Sequence, residues 1–186
     1  MESAAIAARN ILTGLHEVMA SGNHAQAKLN QVVNIIGEAL SSEVCSIYLL
    51  RDGVLELFAT RGLNQDAVHV TKLAFGEGLV GTIADNVETL NLDEAAAHPA
   101  FRYMPETGEE RFHSFAGVPI VRSERAVGVL AVQHADPRKY AEVEIEALQT
   151  TAMVLSELIA YAGLIDEAGT IGIGQTGTAV LKGLPL

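Results

Sequence analysis

One cysteine, Cys45, and six histidines, His16, His24, His69, His98, His113 and His134, are the groups in this chain best suited to nucleophilic or metal chemistry. A lone thiol cannot close a disulfide within the chain or build a multi-thiolate zinc site. Cys45 lies in a β-branched and aromatic run and reads as a small apolar strand residue. The histidines show no metal-ligand spacing, and His98, before Pro99, reads as a loop residue. No nucleophile–base pair stands out, so the chain is not expected to be an enzyme by itself and no cofactor is implied. Gly172-Ile173-Gly174-Gln175-Thr176-Gly177 matches the letters of a dinucleotide-binding turn. That turn needs a strand before it, a helix after it and an acidic residue about 20 positions on. Only nine residues follow Gly177, so the match reads as linker.

Charge narrows the field further. Twelve Lys and Arg stand against 23 Asp and Glu in 186 residues, a formal net charge of −11. Nucleic-acid affinity is built largely from clustered cations, so no nucleic-acid partner is expected. No apolar run approaches the roughly 18 residues of a membrane span, and Met1-Glu2-Ser3 lacks the positive start of a signal peptide. With a single free thiol, these features point to a cytoplasmic chain without a membrane partner.

Two amphipathic helices open the chain. The first covers residues 1–20, and the second carries the stripe Leu29, Val32, Val33, Ile36 and Leu40. The period then switches to two. Strands are predicted at 44–50 and 54–60 around an Arg51-Asp52-Gly53 turn, with Leu55, Leu57 and Ala59 on one face. A third strand is predicted at 68–73, and a short helix at 79–84 follows Gly76-Glu77-Gly78. Residues 85–110 read as a long polar connection, the kind of segment that often carries function. Strands are expected again at 114–121 and 126–134. A long helix is predicted from Pro137 to Ile165, with Asp136 as N-cap and Glu142, Glu144 and Glu146 as dipole-favourable surface charge. Ile145, Leu148, Ala152, Leu155, Ile159 and Ala162 form one seam of that helix; Thr151, Val154, Leu158, Tyr161 and Ile165 form a second. One seam could cover the sheet and the other a partner helix, or both could form one wide buried face.

This order of elements resembles that of a GAF domain. Cys45-Ser46-Ile47-Tyr48-Leu49 is similar to the first GAF strand, and Gly76-Glu77-Gly78-Leu79-Val80-Gly81 to the turn that opens the pocket-lining helix. Ser114-Phe115-Ala116-Gly117-Val118-Pro119-Ile120 with Val127-Gly128-Val129-Leu130 resembles the last two strands. His98-Pro99-Ala100-Phe101 and Pro105-Glu106-Thr107-Gly108-Glu109 resemble a loop of one subgroup, the N-terminal sensors of nitrogen-branch phosphoenolpyruvate–protein phosphotransferases. The resemblance implies an α+β fold: an antiparallel central sheet with helices on both faces. It divides the chain into an N-terminal helix at 1–22, a sensor domain at 23–168 and a flexible linker at 169–186. Downstream phosphotransferase domains would follow in the parent chain. That family phosphorylates a histidine in a Thr-Ser-His-like context, which none of the six histidines here has, so this chain should not autophosphorylate.

The resemblance also implies a pocket between one sheet face and a cover made of 76–84 and 91–112. N–H groups at Gly76 and Leu79 could receive an anion. Arg102 or Arg111 could clamp a carboxylate. Phe75, Phe101, Phe112 and Phe115 could wall the site, with Ser46, Tyr48 and Ser114 as neutral hydrogen-bonding groups. Nitrogen-branch sensors are associated with glutamine and, in some members, 2-oxoglutarate; for glutamine, Asp93, Glu94 or Glu109 could meet the amine. Against this stands ordinary core packing of the aromatics and solvation of the arginines. The expected partners are therefore a small effector and a second copy of the chain joined through the terminal helices. The alternative is a dimerisation or scaffold domain without ligand. Methionine-sulfoxide reduction, found in some GAF domains, relies on several cysteines and is disfavoured.

Overall fold

The computed structural model describes residues 1–164. The linker segment 169–186, the glycine motif at 172–177 and Ile165 lie outside them. Two helices, α1 (Glu2–Ala20) and α2 (Ala25–Ala39), precede the hairpin β1 (Val44–Arg51) and β2 (Val54–Arg61). Then come β3 (Lys72–Leu73), α3 (Gly78–Asn86) and β4 (Leu90–Leu92). The second hairpin, β5 (Ser114–Arg122) and β6 (Arg125–His134), leads to α4 (Glu142–Tyr161). All strand pairs are antiparallel, in the order β3-β2-β1-β6-β5-β4. The fold is α+β, with helices on both faces of the sheet, as expected.

Each face has its own core. On one, α1, α2 and α4 bury Ile11, Leu29, Ile36, Leu148 and Ile159 against Cys45, Ile47, Ala116, Val118 and Leu130. The stripe predicted for α2 is buried throughout, and α1 contributes Ala7, Ala8, Ile11, Leu15 and Val18 to the same core. On the other face, α3 and the segment between β4 and β5 cover Tyr48, Leu55, Leu57, Phe115 and Val129.

Several local expectations are corrected. Ala59 does not share a face with Leu55 and Leu57. The pairing jumps from Ile47↔Ala59 to Tyr48↔Leu57, so Phe58 is an extra residue. This bulge shifts the alternation by one and puts Phe58 and Ala59 on the three-helix face. The third strand shrinks to Lys72–Leu73, because residues 65–67 form a 3₁₀ turn and His69 takes a left-handed φ of 63°. The His69 and Leu57 N–H groups still bond to Leu57 and Thr71 carbonyls, at 2.8 and 3.0 Å, so the pairing is broken rather than lost.

The long helix starts at Glu142, not Pro137. Asp136 does not cap it; its own N–H donates to His134 Nδ1 (3.0 Å). The start is set by Glu144, whose carboxylate accepts the Ala141 N–H at 2.7 Å and is held by Arg138 at 3.0 Å. Glu144 is therefore a buried, paired structural acid rather than surface charge, while Glu142 and Glu146 are exposed. The Arg138 guanidinium also stacks 4.3 Å over the Tyr140 ring. In the 85–110 connection, β4 was not expected. Leu90, Asn91 and Leu92 pair with Gly117, Ala116 and Phe115, extending the sheet by an edge strand.

Candidate functional site

The segment between β4 and β5 folds back over the sheet and is fastened at several points. At its neck the Ala95 N–H donates to the His113 carbonyl (2.6 Å), and Glu94 pairs with the His113 ring (2.7 Å). Midway, the Asn64 N–H reaches the Thr107 carbonyl (3.2 Å), and the Thr107 hydroxyl donates to the Met104 carbonyl (2.7 Å). At its far side Arg102 pairs with Glu77 at 2.7 Å. The other Glu77 oxygen accepts the Ala74 N–H at 2.9 Å, which braces the turn entering α3. Gly76 and Gly78 take φ values of 77° and 66°, and a Cβ on Gly81 would collide with the Ala74 carbonyl. The turn is thus held tightly against the helix start.

Beneath this lid lies a small cavity of about 30 Å³. Its floor is Tyr48, Phe115 and Gln133 on the sheet; α3 contributes Gly78, Leu79 and Val80; the lid contributes Phe101, Arg102, Met104, Glu109 and Phe112. Leu73, Ala95 and the fully buried Ser114 complete the wall. Small-molecule sites commonly span about 300–1,000 Å³. By comparison this chamber is small: it has room for about two water molecules.

Of the residues singled out from the sequence, Tyr48, Leu79, Phe101, Arg102, Glu109, Phe112, Ser114 and Phe115 meet at this cavity. Five others stand elsewhere. The Ser46 hydroxyl bonds to Thr60 Oγ1 across the β1–β2 pair at 2.8 Å, and Phe75 is turned to solvent. The Gly76 N–H is used within its turn, donating to the Gly81 carbonyl at 2.8 Å. Asp93 is exposed, and the exposed Arg111 lies 4.9 Å over the Phe112 ring without lining the cavity. Glu94, weighed as an amine partner, is used at the lid's neck.

Val80 and Met104 come from the expected cover, but Gln133 was missed by sequence reasoning. A polar residue at the end of β6 looks like ordinary strand-end chemistry, and no periodic signal reveals that a lid covers it. The Gln133 amide Nε2 donates to Glu109 Oε2 at 3.1 Å, while its buried Oε1 has no hydrogen-bond partner among the described residues. Burial pushes the Glu109 carboxyl above the usual carboxylate range and Glu106 adds to the rise, against hydrogen bonds from Gln133 and Thr107 that lower it. Burial likewise raises the Tyr48 hydroxyl and the Cys45 thiol, so both stay protonated at neutral pH. A neutral Cys45 enclosed in the core is suited to packing rather than nucleophilic chemistry. Among the described residues no helix is long and apolar enough to cross a membrane.

The comparisons with known proteins return the same α+β fold. A model of the GAF domain family matches residues 24–159. An Escherichia coli (strain K12) protein described as a phosphoenolpyruvate-dependent phosphotransferase system is 37% identical over 180 residues, 94% of this chain. The chain spans 23% of that relative's length. The GAF domain of a phosphoenolpyruvate-protein phosphotransferase from Coxiella burnetii is 37% identical, with a TM-score of 0.77 over 84% of this chain and 96% of that one. The corresponding Acinetobacter domain is 32% identical, with a TM-score of 0.73 over 85% and 93%. The chain belongs to the GAF domain family, alongside the GAF domains of phosphoenolpyruvate–protein phosphotransferases.

Proposed function

We propose that this domain is the regulatory, effector-binding part of a cytoplasmic phosphoenolpyruvate–protein phosphotransferase of the nitrogen branch, sensing glutamine or 2-oxoglutarate. The observation that carries this reading is the mostly apolar chamber, with Arg102, Glu109, Ser114 and Gln133 in its wall, under a lid that folds back onto the sheet. The chamber is too small for either effector with the lid down, so binding requires a lid-open conformation. An effector shifts the population toward the state it binds better. The first-turn N–H groups of α3, whose N-cap Glu77 does not cap them, and the Arg102 guanidinium supply the charge that a carboxylate needs. Movement of the lid would pass to downstream phosphotransferase domains and set their autophosphorylation. The similarity to the E. coli relative, which is much longer than this chain, supports that context.

Thermal melts and calorimetry with each effector test the reading. A ligand that binds only the folded state stabilises it by about 2.7 kcal/mol at 100 times its Kd. Absence of both heat and Tm shift at millimolar glutamine and 2-oxoglutarate would sink it. A second reading, a dimerising scaffold, draws on exposed apolar residues of the terminal helices: Ile6 and Leu12 on α1, Met153 and Tyr161 on α4. A homodimer through these helices is compatible with the sensor role as well. Sedimentation with and without effector separates a ligand-indifferent dimer from a ligand-responsive one.

A further inference from the structure

From a lid carboxyl set against a half-satisfied amide of the sheet, we infer that Glu109 and Gln133 form a proton-operated latch: the lid is fastened to β6 by a protonated Glu109 and loosened when Glu109 ionises. The latch works with no molecule in the chamber, so it stands apart from the effector-binding reading. Gln133 Nε2 donates to Glu109 Oε2 at 3.1 Å, while Gln133 Oε1 is buried and has no partner among the described residues. A buried acceptor in that state calls for a donor. A carboxylate offers only acceptors and cannot serve it; a carboxylic acid keeps an acceptor and gains an O–H donor. An acid facing a primary amide makes two antiparallel bonds, amide N–H to acid C=O and acid O–H to amide C=O. The first is present, and a proton on Glu109 Oε1 is what the second needs.

The charged groups around Glu109 favour that proton. On the lid, Glu106 opposes it with like charge, and the exposed Glu110 and Tyr103 belong to the same acidic stretch. From β1 comes the Tyr48 phenol, which stays neutral. Neither α3 nor β5 presents a charged side chain to the chamber. The cation in the wall, Arg102, is paired with Glu77 at 2.7 Å, Arg111 stacks on Phe112, and His134, beside Gln133 on β6, is engaged with Glu43 at 3.7 Å. Burial is the largest influence and raises the carboxyl, outweighing the bonds from Gln133, Thr107 and the Met104 backbone that lower it. Below the ordinary value of 4.5, Glu109 is protonated whether the lid is up or down. Between that value and the raised lid-down one, closing takes up a proton. Above both, closing must bury a carboxylate beside Glu106 and leave Gln133 Oε1 unpaired. Lid opening therefore increases with pH and then levels off. Protons and any molecule that needs the lid open compete for it.

The test is amide hydrogen exchange on the 186-residue chain, with parent and Glu109→Gln compared at each pH from 4.5 to neutral so that intrinsic exchange chemistry cancels. The variant's amide keeps the shape of the acid and supplies a permanent N–H donor to Gln133 Oε1, so its lid stays latched at every pH. Exchange at residues 100–112 of the parent should rise relative to the variant by at most about tenfold per pH unit, one proton's worth, and then level off, with no such trend in α4. The NMR signals of the Gln133 side-chain amide should titrate with the same midpoint in the parent and stay flat in Glu109→Gln. An exchange ratio that does not change with pH, or a Gln133 amide that does not titrate, would overturn the latch. Gln133→Leu separates the latch from burial alone: its lid should lose part of the pH response, and a full parental response would overturn the role of Gln133. Where that variant does not fold, the Gln133 amide titration in the parent decides.

Discussion

The two faces of the sheet are built from the same strands but solve opposite problems. The three-helix face is a continuous apolar core of long elements, with Ile11, Leu29, Ile36, Leu148, Leu155 and Ile159 all fully enclosed. The lid face is covered by one nine-residue helix and a connection secured by single hydrogen bonds and exposed ion pairs. It also keeps an orphan polar atom and a shifted acid under its cover. Stability is concentrated on the first face and adaptability on the second. Proteins draw their moving parts from regions with few buried apolar contacts.

The sharpest way to break this contrast is to hollow the helical face. Leu148→Ala should cost about 2–5 kcal/mol, because α4 cannot collapse into the gap without moving α1 and the sheet. Urea denaturation would read this as a fall in midpoint without a change in effector affinity. Next is Gly117→Ala. Its Cβ would collide with Ile83 Cδ1 and come within 2.9 Å of the Phe115 ring, wedging α3 away from β5. The expected loss is about 1–3 kcal/mol, measured by thermal melt, and here effector affinity should change too. A Gly117→Ala variant that leaves affinity intact would blur the distinction between the faces.

Smaller effects separate the lid's own fastenings. Arg102→Ala removes an exposed pair with Glu77 and should cost no more than about 1 kcal/mol, less at high salt. Amide hydrogen exchange should show the difference at residues 100–112 rather than in β1 or α4. The smallest effect is expected from pH. Glu109 is raised in the folded state, so the native chain holds its proton more tightly than the unfolded chain. Its contribution is favourable below the ordinary glutamate value of 4.5 and is lost as pH rises through the higher folded value. The stability difference between parent and Glu109→Gln should therefore vary with pH between the ordinary value and the raised folded one and flatten above the latter, in paired urea titrations.

The helical face was legible in the sequence because its signals are local and periodic. The α2 stripe, the hairpin at Asp52-Gly53 (φ 50° and 78°) and the β5–β6 pair follow from residue spacing and turn chemistry. The two-residue turn at Ser123-Glu124 is harder to read, since it reaches the same left-handed geometry without glycine. The lid face was legible only in part. Its aromatics and Arg102 stood out as residue types, but Ser46 is taken by a neighbouring strand and the exposed Arg111 stacks over Phe112 without lining the cavity.

By itself the sequence determined the order of the helices and of the two hairpins, the net acidity, the lone unreactive thiol and the α2 stripe, because each depends on composition or on contacts a few residues apart. The tertiary structure alone decided which face Ala59 joins, that Glu144 is a buried partner of Arg138, and that Gln133 meets Glu109 across 24 residues of chain. Bulges, long-range ion pairs and lid contacts depend on how distant segments meet in space, and no periodicity along the chain encodes that meeting.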